Sequence, residues 1–113
     1  MQEKGPTVPV TDARIQEAAD LLRAAAHPRR IVLFGSHARG DARPDSDADF
    51  LVVLAGTPDR RSEMVRLRHV LRPLRIPVDV VVVSERDVDD WADVPGTLIW
   101  AALREGRVLH DAV

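Results

Sequence analysis

Cysteine is missing from all 113 residues, which rules out disulfides, thiolate nucleophiles and thiolate metal sites and leaves carboxylate oxygen or imidazole to ligate any metal. Charge of one sign is also missing. Lys and Arg total 16 against 18 for Asp and Glu, a formal charge of −2, so there is no overall basic field to draw in nucleic acid or an anionic membrane, and nucleic acid is not an expected partner. Long apolar runs are lacking too: nothing approaches the roughly 20 residues of a membrane span, and the opening MQEKGPTVPV has neither an apolar signal core nor a twin arginine. The expectation is a cytoplasmic protein without membrane association. The length suits one domain around one core, and 45% hydrophobic content is ordinary for it.

Gly5, Pro6 and Pro9 mark residues 1–10 as a flexible arm, and residues 11–113 as the folded domain. Thr11 or Asp12 can cap a first helix whose apolar side is Ile15, Ala18, Ala19, Leu22 and Ala26, and Pro28 forbids its continuation. A strand is predicted over 30–34, a loop with one helical turn over 35–46, and a second strand over 49–54 that Gly56, Thr57 and Pro58 break. Met64, Leu67, Leu71 and Leu74 give residues 58–74 the spacing of a crossover helix, frayed by Pro73. The valine run 78–83 reads as a third strand buried on both faces, central or well covered. Ser84 caps a short acidic helix to Trp91, 97–105 is a last helix ended by Gly106, and Val108 with Leu109 reads as a short edge strand.

Between the first two strands lies GSHARGDARPDSDAD, in which Gly35-Ser36 is followed after ten residues by Asp47-Ala48-Asp49. Gly35 ends strand one while Asp47 and Asp49 begin strand two, so the two points meet only if these strands are antiparallel. Asp79 begins strand three, and the crossover helix makes strands two and three parallel. The result is an α/β (α+β) fold with a small mixed sheet and flanking helices, and with all four positions at one sheet edge. Alternate residues of a strand share a face, so Asp47 and Asp49 can share a cation to which Asp79 adds a third carboxylate. Three such anions repel and raise one another's pKa unless a hard cation such as Mg²⁺ relieves them. Two Mg²⁺ ions about 3.5–4 Å apart can bridge carboxylates and the triphosphate of ATP, which is the chemistry of in-line nucleotidyl transfer. Gly35 lets the backbone approach the phosphates, Ser36 and the following amides can donate to them, and Arg39 adds a guanidinium fork. The structural alternatives are an ordinary turn at Gly35, a solvated Arg39, and an Asp79 that is paired to an arginine because a lone aspartate buried inside VDVVVV would be costly.

On Gly35, Ser36, Asp47, Asp49 and Asp79 the chain resembles the minimal nucleotidyltransferase family of the DNA polymerase β superfamily, whose signature is Gly-Ser, ten residues, Asp-x-Asp and a later strand aspartate. Ala38, Arg39 and Gly40 match a further preference of that family, His37 falls at a variable position, and the likeness runs over residues 12–110. The resemblance implies the nucleotidyltransferase fold, Mg²⁺ and ATP, with Asp47, Asp49 and Asp79 as metal ligands and catalytic residues. It also implies a role as the antitoxin of a HEPN-type toxin, neutralised by binding and by transfer of AMP to a toxin tyrosine. This chain has no tyrosine, so a tyrosyl acceptor is not its own. It also lacks the length for a second wall around a large substrate, which a partner can supply. The alternatives are a non-catalytic antitoxin that masks its partner, and an enzyme acting on RNA or a small molecule.

Elsewhere, His27, His37, His69 and His110 share no ligand spacing. Arg61, Arg68, Arg72 and Arg75 line one side of the crossover helix and read as a solvated face or a docking patch, with Asp87, Asp89, Asp90 and Asp93 as acidic counterpart. Either patch can dock a partner, or the two can pair in a homo-oligomer. Trp91 and Trp100 read as core or interface anchors.

Overall fold

Thr11 sets the first helix by accepting the Arg14 N–H through its hydroxyl at 3.2 Å, and α1 (Asp12–Ala26) ends at His27 in the left-handed region (φ 47°), just ahead of Pro28. The structure, a computed structural model, describes residues 8–56 and 59–112. There follow β1 (Arg30–Phe34), α2 (Ser36–Arg39), β2 (Ala48–Leu54), α3 (Arg60–Leu71) with a 3₁₀ turn over Arg72–Leu74, β3 (Val78–Ser84), α4 (Glu85–Trp91), α5 (Leu98–Glu105) and β4 (Arg107–Asp111). The strands form one mixed sheet in the order β3-β2-β1-β4, with β1 antiparallel to β2 and β4 and β2 parallel to β3. The expected antiparallel and parallel pairings are both present.

Strand alternation gives the sheet two unequal faces. Ile31, Leu33, Phe50, Val52, Val80 and Val82 form the first face and are buried against Leu22 of α1 and Leu67 and Leu71 of α3. On the second face Val32, Leu51, Val53 and Val83 pack with Ile99 and Ala102 of α5, while Phe34 and Val81 are only partly covered. The second layer is therefore thin, and it thins further toward the end of the sheet that carries Phe34. No helix among the described residues is long and apolar enough to cross a membrane.

Several expectations need correction or narrowing. Of the two readings of β3, central or well covered, the second holds, because β3 is an edge strand. Its valines are covered from above and below, by α3 on one side and the α4–α5 layer on the other, and burial of the faces does not reveal sheet order. β2 begins at Ala48, so Asp47 stands just before the strand, and the crossover helix starts at Arg60 and gives way to the 3₁₀ turn at Arg72. Trp91 is not a core residue: it is 47% exposed, while Trp100 is half-buried with the Arg104 guanidinium stacked 5.0 Å from its ring. The end of the expected arm is tied down, since the Val8 N–H donates to the Arg75 carbonyl at 2.9 Å and Val8 and Val10 pack on the core. The arm's residues 1–7, and the strand breakers Thr57 and Pro58, lie outside the described residues.

Because Leu22 is fully buried in the thick layer, Leu22→Ala should cost about 2–5 kcal/mol in urea unfolding. Leu98→Ser, on an exposed position of α5, should stay within about 0.5 kcal/mol.

Candidate active site

β1 delivers the chain to Gly35, whose φ of 76° with ψ of −157° is a conformation that side chains disfavour. The Gly35 carbonyl accepts the N–H groups of Ala38 and Arg39 at 3.1 and 3.0 Å, which winds the short helix α2, and Gly40 (φ 88°) closes it by donating to the Ser36 carbonyl at 2.9 Å. The amides of Ser36 and His37 belong to the first turn and have no acceptor within the helix. A Cβ on Gly35 would collide with the Asp49 carboxylate. Glycine is therefore required twice here, for its backbone angles and for this close approach.

The strand register sets the carboxylates. Phe34 pairs with Asp49 across β1 and β2, and Asp49 pairs with Asp79 across β2 and β3, so the three form one row on the thin second face. Asp49 is pushed above the usual carboxylate range by burial first, then by the charge of Asp79 and then of Asp47, against the smaller opposing pull of His37 and Arg39. The four positions expected at one edge do come together. Asp79, however, is not buried: its side chain is 44% exposed and its Oδ1 accepts from Arg68 Nη2 at 2.8 Å. On an edge strand the second face near the strand end is open, which spares this aspartate the desolvation expected inside a valine run.

Arg39 lies on α2 beside the row, yet its guanidinium is engaged by Asp41 at 3.3 Å and Glu105 at 3.4 Å. His37 donates from Nε2 to the Ser46 carbonyl at 2.9 Å and so ties the start of the loop to its end; a carbonyl can only accept, which fixes that ring nitrogen as protonated. Among the described residues no three His, Asp or Glu side chains are gathered as a ready metal cage. The donors nonetheless suit a hard divalent cation: they are carboxylate oxygens, the charges of Asp79 and Asp47 bear on Asp49, and the backbone of Gly35 leaves room that a Cβ would fill. The charge of Asp47 acts on Asp49, while Asp79 is paired to Arg68. Sequence reading missed Arg68, which it set in a row with Arg61, Arg72 and Arg75, because helical spacing does not show which arginine reaches a strand eleven residues on.

Residues 15–97 match the family model for a nucleotidyltransferase domain. No match is found among curated proteins. Among solved structures, the fold is similar to a protein assigned as a minimal nucleotidyltransferase, at 33% identity over 84% of this chain and 88% of that one, with a TM-score of 0.54. It is similar to a protein from Sulfolobus solfataricus, also assigned as a nucleotidyltransferase, at 26% identity over 69% and 70% of the two chains with a TM-score of 0.55. A Shewanella oneidensis complex of a tri-AMPylated HEPN toxin with its MNT antitoxin matches at 22% identity over 88% and 71% with a TM-score of 0.50, a likeness of fold.

Because its folded-state pKa lies above the unfolded value, Asp49 favours the fold fully only below the unfolded pKa of about 4, and that contribution is lost as pH rises through the folded value. At pH 7 in EDTA, Asp49→Asn should therefore raise the melting temperature, and the gain should fade as the pH is brought down toward about 4. A melting temperature that falls at pH 7 would contradict the crowding of charge in this row.

Proposed function

This chain belongs to the nucleotidyltransferase domain family, and from that premise we propose that it transfers AMP from ATP, with Mg²⁺, to a hydroxyl of a partner protein, as the antitoxin of a HEPN-type toxin. The observation that carries the reading is the row in which Gly35 presses its backbone on Asp49 and Asp49 faces Asp79. In this reading Asp47, Asp49 and Asp79 hold the metal, with Gly35, Ser36 and Arg39 around the triphosphate. Bound there with the nucleotide, magnesium would offset the phosphate charge and make the attacking hydroxyl more acidic. Ser36 donates through its hydroxyl and its amide, and the missing side chain of Gly35 lets phosphate oxygens come down to the backbone. Arg39 contributes a fork once it exchanges Asp41 or Glu105 for phosphate, both being exposed partners that bind it weakly. The acceptor oxygen bonds to the α-phosphorus and the bond from that phosphorus to the pyrophosphate oxygen breaks. The hydroxyl proton passes to a carboxylate, for which we take Asp79, with its side chain 44% exposed.

The nature of the acceptor draws support from three sides. The Shewanella oneidensis complex pairs an MNT antitoxin with an AMPylated HEPN toxin on the same fold. This chain supplies no tyrosine, and the thin second face leaves the row open to a large partner. Trp91, Val94 and Leu98 are each more than a third exposed on the surface of the α4–α5 segment, whose backbone the Thr97 hydroxyl ties by donating to the Val94 carbonyl at 2.9 Å and the Trp91 carbonyl at 3.3 Å. Such a surface suits docking of a protein. One observation favours a second reading, masking without catalysis: Asp79 already has a counter-ion in Arg68.

With α-labelled ATP, Mg²⁺ and a HEPN-type toxin that binds this chain, label should appear on the toxin, and Asp47→Asn should cut that transfer by about 10³-fold while leaving the complex intact. A complex that forms and stays unlabelled would decide for masking. Gly35→Ala should lose the thermal shift given by Mg²⁺ with a non-hydrolysable ATP analogue, because the added methyl strikes Asp49 where the phosphates approach.

A further inference from the structure

We propose that Arg68 is a positioning residue for the carboxylate row: with no metal bound it holds Asp79 on the outer side of the edge strand, and a cation shared by Asp79 and Asp49 requires that ion pair to open. The inference rests on the nucleotidyl-transfer reading of the same carboxylates. The backbone already brings Asp49 and Asp79 side by side, as paired residues of adjacent parallel strands about 4.8 Å apart. Their side chains share a face, and yet no three acidic groups are gathered for a metal among the described residues. What engages Asp79 instead is Arg68 Nη2, at 2.8 Å.

Arg68 is not a loosely placed surface residue. Its neighbours Leu67 and Leu71, one before and three after, are fully buried in the thick first layer, so the helix presents Arg68 from a fixed position. α3 packs on the first face, whereas Asp79 belongs to the second-face row. The guanidinium meets it past the open edge of β3, which no further strand covers among the described residues. The other basic side chains near the row are otherwise engaged: Arg39 with Asp41 and Glu105, His37 with the Ser46 carbonyl. Among the described residues Arg68 is the one cation in ion-pair contact with Asp47, Asp49 or Asp79.

Both partners are close to half exposed, so the pair is weak enough to open when a cation arrives, and strong enough to tax its affinity. A competing pair of that kind lowers the fraction of binding-competent protein, and apparent affinity falls by the same fraction, by up to about fivefold. Arg68 thus gives Asp79 a counter-charge in the metal-free protein, while the charge of Asp79 still bears on Asp49.

The test is Mn²⁺ binding to the full chain, by calorimetry and by the electron paramagnetic resonance signal of free Mn²⁺, without nucleotide. Arg68→Met should bind Mn²⁺ about three- to fivefold tighter than wild type, and Arg68→Lys should gain less, because an ammonium keeps the charge but loses the fork. In an Asp79→Asn background the Arg68→Met change should have almost no effect, which a merely structural role or a general charge effect would not produce. Arg72→Met, at the next turn, should leave Mn²⁺ affinity unchanged. Equal or weaker binding by Arg68→Met, or the same gain with Asp79 replaced, would overturn the proposal. Should Arg68→Met not fold, Arg68→Lys alone and with Asp79→Asn carries the same comparison. If Asp79→Asn binds Mn²⁺ as wild type does, the ligand assignment itself fails; if that variant loses Mn²⁺ while Arg68 variants change nothing, only the positioning role fails.

Discussion

Asp49 and Asp79 are held opposite each other on neighbouring strands, with Asp47 close by, and the force that holds them there is the packing of the valines and phenylalanine that follow them. On the first face Phe50, Val52, Val80 and Val82 must all point into the same layer under α1 and α3. A slip of one residue between β2 and β3 would turn that set outward and bury the aspartates. The register that satisfies the core is thus the register that sets carboxylate against carboxylate. Repulsion at one end of the strands is accepted because the rest of their length depends on the same alignment.

The two layers then decide where chemistry can occur. One face carries two long helices and most of the buried apolar residues; the other carries the short α4 and α5, and Phe34 and Val81 near the row are only partly covered. The aspartates fall on the thin side, by the parity of their positions. In the proposed reading, a large acceptor would reach them there without displacing a helix. β3 as an edge strand adds a further opening, through which α3 supplies Arg68.

Much of this was legible in the sequence, for reasons that are local. Thr11, Ser84 and Thr97 stand at helix starts and each accepts a backbone N–H as a capping residue does, and the fixed spacing of Gly35-Ser36 and Asp47-x-Asp49 forced the antiparallel hairpin. What was not legible depends on contacts across the fold. A run of valines reports that both faces are covered, which both a central strand and a capped edge strand satisfy, and so the place of β3 in the sheet stayed open. The exposure of Asp79 follows from that same edge position. Arg68 could not be told from Arg61 or Arg72, since helix periodicity gives a face and not a partner, and Arg39 gave no sign of Glu105 sixty-six residues away.

Whether the row is a structural cluster or a working one can be argued from where the fold bears its costs. A structural cluster of acids is satisfied internally, and its neighbours relax around it. Here Asp49 is held above the ordinary carboxylate range, and the residue crowding it is a glycine in a conformation that other residues avoid. Neither feature helps either core layer, because the apolar rows would pack identically with asparagine at position 49 and the turn could be made without pressing on that side chain. Elsewhere the chain is locally consistent, with capped helices, alternating strands and no buried charge among the described residues. Strain occurs elsewhere too, at the left-handed His27 and Arg75 that end helical turns, but among the described residues only at Asp49 do two unfavourable features meet on one carboxylate, as the proposed cation and phosphate site would show before either arrives.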